Sequence, residues 1–132
     1  VILAGTNDIA GNTGPATVKM IADNIISMAE LARENNILVV ISSVLPVYDY
    51  SWKPGLEPVP KISKLNEIIK NYALKHRHTY LDYYAAMVDD KKGLDKEYTS
   101  DGVHPNKAGY EVMATLAEQA IAKTLDHAKL KK

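Results

Sequence analysis

Val1-Ile2-Leu3-Ala4-Gly5-Thr6-Asn7-Asp8 is an unbroken apolar run that stops at a glycine and passes at once into polar side chains. Without the alternation of a half-wet strand, such a run reads as a strand buried on both faces of a parallel sheet. Working outward, the glycines and asparagines between Thr6 and Pro15 suit tight turns, so that segment is expected to be a loop. Apolar residues then recur at Val18, Ile21, Ala22, Ile25, Met28, Ala29 and Ala32, the spacing of one helical face, with Asn35-Asn36 as the stop. Ile37-Leu38-Val39-Val40-Ile41 is a second apolar run and a second expected buried strand, followed by a loop broken by Pro46, Pro54, Pro58 and Pro60. Ile62, Leu65, Ile68, Ile69, Tyr72 and Ala73 mark another helix, and Thr79-Tyr80-Leu81-Asp82 a short third strand. An irregular, charged stretch is expected up to Asp101. Pro105 or Asn106 then opens a last helix with Val112, Met113, Leu116, Ala120 and Ile121 toward the core.

Strands alternating with helices imply parallel pairing through right-handed crossovers, hence a layered α/β sandwich. The 132 residues, 46% hydrophobic and 24% charged, fit one domain with no internal repeat. A chain that opens inside a strand without methionine is expected to be the C-terminal part of a longer polypeptide, with any secretory signal upstream. Sixteen Lys and Arg balance sixteen Asp and Glu, so no net field favours nucleic acid or an anionic membrane. Lys129, Lys131 and Lys132 read as a solvated tail. The absence of cysteine removes disulfides, thiolate catalysis and cysteine-ligated zinc. No apolar run is long enough to span a bilayer.

In such sheets function collects at the loops leaving the carboxyl ends of the strands. One of these holds Ser100-Asp101-Gly102-Val103-His104-Pro105, just ahead of the last helix. An aspartate three residues before a histidine on a glycine-containing turn can fold back to accept a hydrogen bond from one ring nitrogen. The other nitrogen is then free to take a proton from a nucleophile. His76, His78 and His127 lack such company and read as solvated helix-end or tail residues.

Gly5-x-Asn7-Asp8 after a buried strand, with Asp101-x-x-His104-Pro105 before the terminal helix, resembles the third and fifth blocks of the SGNH hydrolases, also called GDSL esterases and lipases. The order and spacing of blocks, strands and helices extend the resemblance over nearly the whole chain. It implies a three-layer α/β/α sandwich with a parallel, flavodoxin-like sheet, of which residues 1–132 would be the C-terminal portion of a single domain. It implies His104 as general base, Asp101 as its orienting carboxylate, Asn7 as an oxyanion donor and Gly5 as the block glycine. Asp8 is expected to brace the loop by accepting backbone hydrogen bonds. No cofactor or metal is implied. The ester carbonyl under attack develops negative charge that the Asn7 amide would meet.

The family's Gly-Asp-Ser block and its second block, with an oxyanion glycine, have no counterpart here, and none of the six serines replaces the nucleophile. Ser42 and Ser43 end a strand without a glycine-flanked turn, and Ser100 merely adjoins Asp101. The nucleophile is therefore expected upstream, and these residues alone are expected to be inactive. Tyr48, Tyr50 and Trp52 cluster in the long loop, where they either line a pocket with Thr6 and Val103, stacking on a sugar, or pin the loop. With no apolar lid segment, the expected substrate is a short acyl ester, such as an acetyl group, on a carbohydrate or other polar carrier. Asn7-Asp8-Ile9-Ala10-Gly11-Asn12-Thr13-Gly14 is similar to secreted bacterial carbohydrate deacetylases, which implies a secreted or periplasmic location. Two other readings stay open. Asn7, Asp8, Asp82, Asp101 and His104 could ligate a metal in a phosphoesterase, or the fold could be a non-catalytic glycan-binding module.

Overall fold

The computed structural model describes residues 1–129, so Lys131 and Lys132 of the expected tail lie outside the described residues. The elements run α1 (Thr6–Ile9), α2 (Val18–Glu34), β1 (Val40–Ser42), α3 (Pro58–Lys75), β2 (Thr79–Leu81), α4 (Tyr83–Met87) and α5 (Lys107–Lys129). β1 and β2 pair in parallel with Ile41 opposite Tyr80. Ile2 joins the other side of β1 by a single parallel bridge, its N–H donating to the Val40 carbonyl at 2.8 Å and its carbonyl accepting from Ser42 N–H at 3.0 Å. The three expected strand segments are thus side by side and parallel, although the first amounts to one bridge.

Neighbouring residues of β1 face opposite ways, and they enter different cores. Val39 and Ile41 pack with Ile21, Ile25, Leu65 and Ile69 of α2 and α3, whereas Val40 packs with Leu81, Met87, Met113 and Ala120 of β2, α4 and α5. Helices therefore cover the strands on both faces, as a layered α/β fold requires. Among the described residues, no helix is long and apolar enough to cross a membrane.

Several boundaries move, each for a local reason. The second strand begins at Val40, not Ile37, and Ile37 and Leu38 are 60% and 50% exposed. These two residues follow a helix end: Asn36 is left-handed at φ 58°, and its N–H donates to the Arg33 carbonyl while Ile37 N–H donates to that of Ala32. That Schellman closure holds Ile37 to the helix. α3 ends the same way, with Arg77 at φ 60° and His78 N–H donating to the Ala73 carbonyl at 2.8 Å. His78 is consequently half-buried, not solvated, and burial pushes its imidazole pKa below the ordinary value.

Pro58 and Pro60, expected as loop breakers, instead open α3. The first turn of a helix has no partners for its N–H groups, so prolines there forfeit nothing. Two short helices lie where loops were expected: α1 inside the Thr6–Pro15 segment, and α4, capped by Asp82 Oδ1 accepting from Ala85 N–H at 3.1 Å. Asp82 thus starts a helix instead of ending a strand. Ile121 and Met28, assigned to the core from periodicity, are largely exposed.

Candidate active site

The turn before α5 is built by Thr99 and Asp101. Asp101 Oδ1 accepts from the N–H groups of Val103 (2.9 Å) and His104 (2.8 Å), and Oδ2 lies 2.6 Å from His104 Nδ1. Buried Thr99 donates its hydroxyl to the His104 carbonyl at 2.7 Å and accepts from Gly102 N–H at 3.0 Å. Gly102 sits at φ +80° with open space around it, so the backbone angle alone calls for glycine. Asn106 then caps α5, its Oδ1 accepting from Gly109 N–H at 3.0 Å.

The His104 amide, the His104 ring and the Val103 amide together hold the Asp101 carboxyl well below the usual carboxylate range. An ionised carboxylate only accepts, so Nδ1 of His104 carries a proton, and in the neutral ring Nε2 presents a lone pair. Among the described residues Nε2 makes no hydrogen bond, and the side chain is 72% exposed. In this geometry the carboxylate orients the ring while Nε2 stays open to accept a proton.

Gly5 approaches the site from the other block. At φ +116° it begins α1, and a Cβ there would stand 3.0 Å from Leu65 and 3.2 Å from Val44. Its close approach is thus to the core beneath the loop. Exposed Asn7 accepts at Oδ1 from Asn12 Nδ2 (3.1 Å), which leaves its own amide hydrogens without a partner among the described residues. That is the polarity an oxyanion donor needs. Asp8 accepts from the Thr13 hydroxyl at 2.8 Å, so the brace is a side chain and not the expected backbone N–H.

The aromatic cluster divides. Tyr50 is fully buried, with its hydroxyl 3.4 Å from the Thr6 carbonyl, and Val103 is buried in the same core as Ile9 and Ala10. Val103 is therefore a core residue and not part of the pocket where it was expected, whereas Tyr50, though buried, borders the groove beside Asp101. Residues next to both the Asn7 and the His104 segments thus contribute to one core. Tyr48 and Trp52 are exposed, and Trp52 stacks against His104 with ring centroids 6.2 Å apart and planes at 25°. A groove of about 390 Å³ beside Asp101 and Gly102 is lined by Tyr48, Asp49, Asp89 and Lys91.

Ser42 and Ser43 are buried; Ser42 donates to the Ser43 carbonyl, and Ser43 Oγ accepts from Tyr84 N–H at 2.8 Å. The acids considered as metal ligands are committed elsewhere, Asp8 to Thr13 and Asp82 to the α4 cap and Lys70. Among the described residues no three His, Asp or Glu gather closely enough to hold an ion. Thr99, Asn12 and the stacking of Trp52 were missed from sequence. A threonine two residues before Asp101 was a usable signal, because Ser and Thr hydroxyls close such turns.

A family model for GDSL-like lipases and acylhydrolases matches residues 1–112. A solved structure from Bacteroides fragilis, assigned as an acylhydrolase, is 45% identical with a TM-score of 0.90, over 94% of this chain and 61% of its own. A GDSL-like lipase from Bacteroides thetaiotaomicron is 44% identical with a TM-score of 0.88, over 92% of this chain and 60% of its own. A member of the lipolytic G-D-S-L family from Veillonella parvula is 26% identical with a TM-score of 0.64, over 91% and 61%. No curated protein matches the chain significantly. The chain spans about three fifths of the length of these solved relatives. With a family model matched from Val1 into the last helix, this chain belongs to the GDSL-like lipase/acylhydrolase family.

Proposed function

We propose that this chain supplies the base, orienting acid and one oxyanion donor of a serine ester hydrolase. The observation that carries the reading is the 2.6 Å contact between Asp101 Oδ2 and His104 Nδ1, on an exposed side chain whose Nε2 has no partner among the described residues. In the proposed cycle Nε2 takes the proton of a serine hydroxyl as its oxygen attacks the ester carbonyl. Asp101 stabilises the imidazolium, and the Asn7 amide donates to the oxyanion. His104 then returns the proton to the departing alkoxide, and water repeats the sequence to release the acid. The nucleophile belongs to chain outside these 132 residues in this proposal, because the strand-end serines are committed to structural hydrogen bonds.

The substrate side of the proposal is a short acyl group, such as acetyl, on a carbohydrate or similarly polar carrier. Its support is the open groove next to Asp101, where the charged side chains Asp49, Asp89 and Lys91 stand among apolar ones such as Tyr48 and Leu94. A secreted or periplasmic location completes it and rests only on resemblance to secreted bacterial deacetylases.

Fluorophosphonate labelling of the polypeptide that includes this chain, followed by peptide mapping, is the test. The expected result is one adduct on a serine outside these residues, with labelling and acetyl-ester turnover both lost in His104→Ala. Because His104 is exposed, the variant should retain its melting temperature. Turnover that survives His104→Ala, or labelling of a serine within the chain, overturns the assignment.

A further inference from the structure

Among the described residues the His104 side chain makes one hydrogen bond, at Nδ1, and most of it is open to water. A single bond to one nitrogen aims the imidazole but lets it swing about that contact, and a swing displaces the reacting Nε2. Small misplacements of a catalytic group are costly in rate. The aromatic side chain beside this ring is Trp52, its indole at 25° to the imidazole plane with ring centroids 6.2 Å apart.

Trp52 is itself held from below. Asp49 Oδ1 accepts from Tyr50 N–H at 2.9 Å, Gly55 N–H reaches the same carboxylate at 3.3 Å, and Lys53 N–H donates to the Tyr50 carbonyl at 3.0 Å, so the loop closes on itself. The Tyr50 ring lies 5.3 Å from the indole. Burial pushes the Tyr50 phenol up to about 12, so it remains a donor to the Thr6 carbonyl at any working pH. A continuous path of contacts therefore runs from Thr6, beside Asn7, through Tyr50 and Trp52 to His104.

We infer that Trp52 is a positioning residue for the general base, a brace that fixes the His104 ring relative to the oxyanion segment. The inference rests on the esterase reading and goes beyond it, because it assigns the exposed indole to the base and not to a sugar. Its two predicted marks are a loss in kcat without a matching rise in KM, and an upfield ring-current shift of the His104 ring protons in the wild type.

The test compares Trp52→Ala, Trp52→Phe and His104→Ala in the hydrolase that includes this chain. Ethyl acetate is the substrate, because it has no ring to stack on the indole. Trp52→Ala is expected to lower kcat about tenfold, the size of an aromatic pair contribution, with KM changed less than about twofold. Trp52→Phe should restore most of the rate. The His104 ring protons should move downfield in Trp52→Ala. A rise in KM at constant kcat makes Trp52 a substrate platform and overturns the inference, as do unchanged kinetics. If Trp52→Ala behaves as wild type while His104→Ala is dead, only the brace fails; if His104→Ala still turns over, the esterase reading itself falls.

Discussion

The turn carrying His104 is closed by hydrogen bonds that span two to five residues, between Thr99, Asp101, Gly102, Val103 and His104. The segment carrying Asn7 is shaped from far along the chain. Gly5 nests against Ile21, Val44 and Leu65, and the Thr6 carbonyl meets a hydroxyl 44 residues away. One half of the site is a local motif, and the other is a product of the packed core. A local turn tolerates changes elsewhere and fails when its own side chains change. A core-shaped segment loses geometry when distant packing moves.

The largest effect that separates the two halves is expected from Asp101→Asn. Asparagine keeps an oxygen for the Val103 and His104 amides, so the turn and the melting temperature should survive. Its amide nitrogen would face Nδ1, however, which selects the tautomer with the proton on Nε2. The predicted fall in kcat is about 10⁴-fold, measured by ester hydrolysis at pH 7. A loss below about tenfold would mean that Asp101 shapes the turn without orienting the base.

Asn7→Ala comes next, with kcat reduced by about 10²–10³-fold and KM nearly constant, as for one oxyanion donor. If KM rises instead while kcat holds, Asn7 binds substrate in its ground state.

The smallest effects are on stability and sharpen the local-versus-core contrast directly. Gly5→Ala combines a positive φ with tight contacts of 3.0–3.3 Å to Leu65, Val44 and Ile21, and should cost about 2–4 kcal/mol in urea unfolding. Gly102→Ala meets open space and should cost only the backbone term, about 1 kcal/mol. Equal costs at the two glycines would mean that Gly5 is no more tightly packed than Gly102.

Much of the fold was legible because it follows from periodicity. The α2 face of Ile21, Ala22, Ile25 and Ala29, the α3 face of Ile62, Leu65, Ile69 and Ala73, and the Thr79–Leu81 strand all appear where apolar spacing put them. Periodicity failed where apolar residues serve an end or an edge. Ile37 completes a helix cap, and Val1, Leu3 and Leu38 stay exposed despite lying in apolar runs. The prolines of α3 were misjudged because a breaker inside a helix is harmless in its first turn.

By itself the sequence determined the family blocks, the partnership of Asp101 with His104 and the alternation of strands and helices, since each depends on residues near one another along the chain. Tertiary structure alone decided that Tyr50 and Val103 belong to the core, that Gly5 is packed from three directions, and that Trp52 stands beside His104. Those facts join segments as far as 60 residues apart. Which side chains meet across such distances is set by how the helices pack on the strands, a property that no local pattern encodes.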